Sequence, residues 1–198
     1  MVNTKLIHMP CVELSNISKK YGEEYVIRNF SIRFNIGNIY LIIGSNGCGK
    51  TTLIKIINKL IYPNEGNISI NGQVTFVPDK MAFPKDVKLI KYLELFVDNN
   101  FNYDKELEKW GIKKYTKQKL KKLSKGTLHK VLLIIGLNTN ADIYFFDEPL
   151  NGLDDQMKKL FVEEVGKLKK QNKIVIIVTH FKELFEGKEY KEVKLWNY

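Results

Sequence analysis

Residues 39–52, IYLIIGSNGCGKTT, run from an apolar stretch through a glycine-rich turn into a second apolar segment. No other stretch narrows the fold so far, because residues 44–51 carry the pattern G-x-x-x-x-G-K-[ST]. Gly44, Gly47 and Gly49 permit backbone conformations that a Cβ would block, so successive N–H groups turn inward around a phosphate. A helix starting near Lys50 adds the positive end of its dipole. Lys50 is then placed to reach the β- and γ-phosphates, and the Thr51 hydroxyl to bind Mg²⁺. Tyr40, Leu41, Ile42 and Ile43 read as a buried strand, and Leu53, Ile54, Ile56 and Ile57 as a buried helix face. These flanks favour a built phosphate loop over a flexible turn.

A chain of 198 residues suits one domain, with room for a lobe inserted into it. Hydrophobic residues at 44% and charged residues at 27% fit a soluble globular protein. No apolar run approaches the ~20 residues needed to span a bilayer, and the first residues lack a secretory apolar stretch. A membrane role is therefore expected to come through a partner. Cys11 and Cys48 give no disulfide framework, which fits a reducing compartment. The net charge of +10 is compatible with anionic headgroups, nucleic acid or an acidic partner. Its excess gathers in residues 113–130, KKYTKQKLKKLSKGTLHK, which contain no acid. That run reads either as a solvated lysine-rich helix face or as a contact for an anionic partner. Nucleic acid is the weaker option, since the run lacks arginine and has few aromatics for stacking bases.

Strands are expected at 12–14 and 30–34, with a turn at Tyr21-Gly22-Glu23 between them. The phosphate-loop helix is expected to end near Tyr62-Pro63. Ile68 and Ile70 alternate with polar residues, and Asn71-Gly72 predicts a tight hairpin returning as a strand over 74–77. Leu89, Leu93, Phe96 and Val97 share a face at helical spacing, with Leu107 and Trp110 on a second short helix. Residues 79–122 thus read as a small helical lobe between the core segments 1–78 and 123–198. Further on, the pattern predicts helices at 125–137, 155–170 and 182–185. Strands are expected at 143–146, 174–178 and near Val193. Strands alternating with helices indicate a parallel sheet covered on both faces.

A phosphate loop needs a carboxylate to hold the metal, and IYFFDEP (143–149) ends a buried strand in two adjacent acids. Asp147 is placed to bind Mg²⁺ directly or through water. Glu148, pointing the other way, is the group to orient and deprotonate a water attacking the γ-phosphate. LSKGT (123–127) precedes these acids by one helix.

Together these motifs resemble the ATP-binding subunit of an ABC (ATP-binding cassette) transporter, over essentially the whole chain. The resemblance implies an α/β phosphate-loop NTPase core with an antiparallel β subdomain and an inserted helical subdomain. It implies two subunits packed head to tail, with ATP held between one phosphate loop and the other subunit's signature. Tyr21 matches the aromatic that stacks on adenine. Gly44, Ser45, Asn46, Gly47, Cys48, Gly49, Lys50, Thr51 and Thr52 match the phosphate loop. Asp147 and Glu148 match the metal-binding and catalytic acids. Ser124 and Gly126 match the signature residues that reach the partner's γ-phosphate. NGLD (151–154) matches the loop crossing the dimer interface, and His180 the switch histidine at the γ-phosphate.

Two positions depart from the family pattern. Asp79 stands where members usually carry a Gln that completes Mg²⁺ coordination, and a carboxylate ligates that ion strongly. LSKGT replaces LSGGQ, so Lys125 either assists nucleotide binding or faces solvent. Cys48 is either activated by nearby N–H groups and Lys50 or simply a tolerated small residue. The chain is short for the family, with a reduced helical lobe and no regulatory extension expected.

The resemblance implies an ATP-hydrolysing subunit on the cytoplasmic face of the cell membrane, working with a transmembrane permease and a second ATP-binding subunit, identical or different. Contact with the permease is expected at a groove beside the Asp79 loop, with Phe83, Trp110 and Tyr115 either lining it or packed in the core. The compact form, Asp79 and LSKG look most like exporters of peptides or antibiotics with separate membrane subunits. The rival is a soluble ABC ATPase acting on nucleic acid or ribosomes. A degenerate regulatory cassette is disfavoured by the intact Lys50, Asp147, Glu148 and His180.

Overall fold

The computed structural model describes residues 9–97 and 101–195. Its centre is a five-stranded parallel sheet in the order β5 (Val74–Val77), β6 (Ile143–Asp147), β7 (Ile174–Val178), β3 (Asn38–Ile43), β8 (Lys191–Lys194). β6 and β7 are buried at every position. This explains their unbroken apolar sequence, because both faces of the sheet are covered. Successive side chains serve two different cores. Leu41, Phe146 and Ile177 face one, while Tyr40, Phe145 and Ile176 face the other.

The first core is closed by α4 (Lys125–Asn138), α5 (Asp155–Lys170), α2 (Leu89–Leu93) and α3 (Tyr103–Lys109). The second is closed by α1 (Lys50–Ile57) and by an antiparallel sheet in the order β2 (Glu24–Asn35), β1 (Cys11–Tyr21), β4 (Glu65–Asn71). α5 begins where its capping residue dictates: the Asp154 carboxylate accepts from Met157 N–H at 2.9 Å. α4 packs so closely on β5 that a Cβ on Gly136 would collide with the Val77 side chain.

Several expectations need correction. β1 and β2 extend well beyond the expected strands and pair up to Tyr21 opposite Glu24, closed by Gly22-Glu23. Asn71-Gly72 is not a hairpin: β4 pairs with β1, while β5 runs parallel to β6 in the other sheet. The start of β6 fixes this crossing. Gln73 N–H donates to the Asp142 carboxylate at 3.0 Å, and the N–H groups of Asp142 and Ile143 donate to Gln73 O. Gly72, at φ 119°, passes where a Cβ would press on Asp142 and Pro10. α1 stops at Ile57 rather than near Tyr62. Lys59 takes φ 56°, Leu60 N–H bonds back to Lys55 O, and Lys59 N–H to Ile56 O, an end normally made with glycine.

α2 is also short, so the helical spacing does not carry to Phe96, which is 46% exposed while Tyr92 is buried instead. Leu89, Leu93, Leu107 and Trp110 join the same apolar cluster as α4 and α5, so α2 and α3 lean on the main core. The lysine-rich run forms no single helix face. It makes two 3₁₀ turns before α4, and its charges are dispersed. Lys119 and Lys121 hold Asp86, Lys113 meets Glu108, and Lys130 meets Asp154. The two lysines beside Asp86 hold its carboxyl down at about 2. Residues 182–185 form a 3₁₀ turn rather than an α-helix.

Candidate functional site

β3, β7 and β6 are parallel neighbours, so their carboxyl ends open on one edge of the sheet. From β3 comes the glycine-rich loop, from β6 the pair Asp147-Glu148, and from β7 the segment ending in His180. A cavity of about 220 Å³ lies there, lined by Val26, Asn46, Gly47, Gly49, Lys50, Thr51, Thr52, Glu148 and His180. Eight of these nine were expected from sequence. Val26 was missed, since nothing in a β-strand valine signals a ligand.

The loop owes its shape to its glycines. Gly47 and Gly49 take φ 84° and 94°, and a Cβ on Gly49 would lie 2.8 Å from Val26 O. Gly44 lies beneath the loop, where a Cβ would meet Cys48 Sγ and come within 2.9 Å of Leu195 O. The Lys50 ammonium is drawn into the loop and donates to Gly44 O at 2.8 Å and Ser45 O at 2.9 Å. Those carbonyls hold the cation where anionic oxygens would bind.

Cys48 points away from the cavity into the second core, with 2% of its surface exposed. The thiol is therefore a packing group rather than an accessible nucleophile. On thiol titration of the folded chain with a bulky disulfide reagent, half-buried Cys11 should react first. Cys48 should follow only on unfolding or loop opening. Comparable rates at the two cysteines would contradict this placement.

Glu148 is the most constrained residue of the site. Its φ of 50° is uncommon for a side chain with a Cβ and unfavourable before proline. Its N–H donates to Val178 O at 2.9 Å. One carboxylate oxygen lies 3.0 Å from His180 Nε2, and the other is buried without a hydrogen-bond partner. Burial raises the Glu148 pKa; His180 opposes this, and Asp147 adds to it. Asp147 is 8% exposed and has neither ion pair nor hydrogen bond from its side chain among the described residues. Burial first, then Asp79, raises its pKa, against Lys55 and Lys50.

A raised folded pKa has a definite sign for stability. The folded chain retains protons that the unfolded chain releases above the ordinary carboxylate value, so stability falls as pH rises through the folded pKa. Asp147→Asn should therefore raise the melting temperature of the nucleotide-free chain at neutral pH. The gain should vanish in acid, where Asp147 is protonated in either state. Thermal melts across pH check this, and an equal gain at pH 3 and pH 7 would contradict it.

These features bear on a metal. No cluster of three or more His, Cys, Asp or Glu side chains arranged to hold an ion occurs among the described residues. A buried, unpaired carboxylate that feels Lys50 of the phosphate loop suits an ion that takes most of its ligands from phosphate and water. Asp147 and Thr51 fit Mg²⁺ in that manner.

The remaining expected residues lie apart from this cavity. Tyr21, 55% exposed, ends β1 with Lys19 Nζ 5.6 Å from its ring. Asp79 adjoins the acids closely enough to raise both their pKa values, and lines a second cavity of about 420 Å³. That cavity also takes in Lys125, Gly126, Asn151 and Gly152. Ser124 caps α4, its hydroxyl accepting from Thr127 N–H at 3.1 Å. Of the aromatics considered for a partner groove, Trp110 is fully buried and Tyr115 packs against the core. Phe83 lines the second cavity. An apolar groove of about 350 Å³ does exist between the Asp79 loop and α2, with Met81, Leu95 and Phe96 exposed along it.

A glycine loop holding a lysine, with an acid pair and a histidine at the same sheet edge, defines a phosphate-loop nucleotide-binding protein. Residues 27–151 match the family model described as ABC transporter, and the chain belongs to that family as an ATP-binding subunit. It is 30% identical over 185 residues to the uncharacterised ABC transporter ATP-binding protein MJ1023 of Methanocaldococcus jannaschii, covering 89% of this chain and 71% of that one. It is 33% identical over 178 residues to the zinc import ATP-binding protein ZnuC of Rickettsia conorii, covering 86% and 76%. A solved ATP-binding subunit of an ABC transporter superposes with a TM-score of 0.82 at 24% identity, over 93% of this chain and 85% of that one, which shows the shared fold.

Proposed function

We propose that the chain is a Mg²⁺-dependent ATPase that drives a separate membrane permease. The observation that carries this is the Glu148 carboxylate at the wall of the phosphate-loop cavity it shares with Lys50, one oxygen on His180 and the other buried without a partner. Binding of ATP would draw the Lys50 ammonium from Gly44 O and Ser45 O onto the β- and γ-phosphates, exchanging neutral acceptors for charged ones. Loop N–H groups and the start of α1 supply further positive potential. Tyr21 offers its exposed ring to the adenine. Glu148 takes the proton of the attacking water, and His180 orients the carboxylate through its other oxygen. Thr51 and Asp147, with Asp79 nearby, would hold Mg²⁺, whose charge would offset that developing on phosphate.

In a head-to-tail pair of subunits, Ser124 and Gly126 would complete the partner's site. Among the described residues no helix is long and apolar enough to cross a membrane, so contact with the bilayer would come through the permease. The apolar groove along Met81, Leu95 and Phe96 suits a short permease helix, since it adjoins Asp79 and can pass on movement of that loop. This work would be done on the cytoplasmic face of the membrane, where ATP is available. As to direction, the zinc-import relative favours uptake, of a small solute such as a divalent cation, over the export suggested by sequence.

The test is co-expression with a candidate permease sought among the adjoining coding sequences, followed by ATP hydrolysis assays in reconstituted vesicles. Hydrolysis that needs Mg²⁺ and rises with the permease supports the proposal. Equal rates with EDTA, or no stable complex with the permease, would defeat it. Uptake against efflux of labelled zinc or manganese in the same vesicles decides direction.

A further inference from the structure

Glu148 sits in a strained backbone conformation that something must hold. Its own N–H is tied to β7, but the next residue, Pro149, has no N–H, so its carbonyl is its only backbone hydrogen-bonding group. That carbonyl lies 2.8 Å from His129 Nε2, contributed by the second turn of α4. A carbonyl only accepts, so His129 donates here from Nε2. One residue further along α4, Lys130 lies 3.6 Å from Asp154 at the far end of the same loop. α4 therefore grips the loop that follows Glu148 at both ends.

We infer that His129 is a positioning residue for Glu148: its N–H anchors Pro149 and so holds the Glu148 carboxylate in place at the wall of the phosphate-loop cavity. The inference rests on Glu148 being the base in ATP hydrolysis. It assigns His129 no contact with nucleotide. Its ring lines the 420 Å³ cavity with Gly126 and Asn151, on the other side of the loop. Loss of the bond would let the peptide after Glu148 relax toward commoner backbone angles and swing the carboxylate off line. A misplacement of this kind lowers turnover by about 10–100-fold and leaves ground-state binding intact.

The experiment compares His129→Leu, which removes the donor, with His129→Gln, which keeps an N–H of similar reach. ATP hydrolysis and ATP affinity are measured on the full chain at saturating Mg²⁺. The expected result is a kcat about 10-fold or more lower for His129→Leu, an unchanged KM, and His129→Gln within about 3-fold of the parent. In a Glu148→Gln background, His129→Leu should cost nothing further. Equal losses in the two His129 variants, a loss confined to KM, or full additivity with Glu148→Gln would overturn the inference. If His129→Leu folds poorly by thermal melt, His129→Phe takes its place in the comparison. Glu148→Gln measured alone separates the two layers. Its full activity would remove the base assignment and this inference together. Its loss alongside an unaltered His129→Leu would remove only the inference.

Discussion

Glu148→Gln should reduce ATP hydrolysis by at least about 100-fold while leaving nucleotide affinity within a few-fold of the parent. The substitution keeps the shape of the side chain and one oxygen to face His180 Nε2, now 3.0 Å away. It removes the charge and basicity of a carboxylate one of whose oxygens is buried and makes no hydrogen bond. Burial already raises that carboxyl's pKa, which makes the carboxylate a stronger base. The loss should therefore appear in kcat. Because ATP still binds, the variant should accumulate as an ATP-bound dimer, visible by size-exclusion chromatography with ATP and Mg²⁺. Phosphate release at the parental rate would take Glu148 out of the chemistry and leave His180 as the group to examine.

The sequence was most informative where a residue's neighbours along the chain decide its fate. The apolar runs at 143–146 and 174–178 became β6 and β7 almost residue for residue, since a strand buried on both faces leaves no polar positions to blur its ends. α5 was legible from 155 to 170 because Asp154 caps it and apolar residues follow at helical spacing. The phosphate loop was legible because its glycines are demanded by local backbone angles.

Long-range pairing was not legible. Asn71-Gly72 carries a good hairpin signal, yet Asp142, far along the chain, pins Gln73 and sends the next strand into the other sheet. The site divides in the same way. Lys50, Thr51, Asp147, Glu148 and His180 announce themselves by motif, whereas Val26 enters only because β2 passes over Gly49. The left-handed backbone at Glu148 and its tie through Pro149 to His129 arise from contacts between β6, β7 and α4. Thiol burial at Cys48 likewise depends on the second core, beyond the reach of its neighbours in sequence.

Replacing Lys50 by Ala should weaken ATP binding by about 100-fold, and the size of that loss follows from what Lys50 touches. Lys50 is 7% exposed and its ammonium is bonded to two backbone carbonyls, so moving to phosphate forfeits two neutral hydrogen bonds. Hydrogen bonds to charged groups contribute about 1.5–3 kcal/mol each against about 0.5–1.5 for neutral ones. Two such exchanges leave a net gain of about 2–3 kcal/mol, which brackets a loss near 100-fold. Lys50→Arg should not restore binding, because a planar guanidinium is broader than the ammonium the loop encloses. Titration calorimetry with and without Mg²⁺ measures the loss, and a thermal melt establishes that the loop still folds. An affinity within 3-fold of the parent would mean that phosphate is held elsewhere, and the assignment of this cavity to the triphosphate would fall with it.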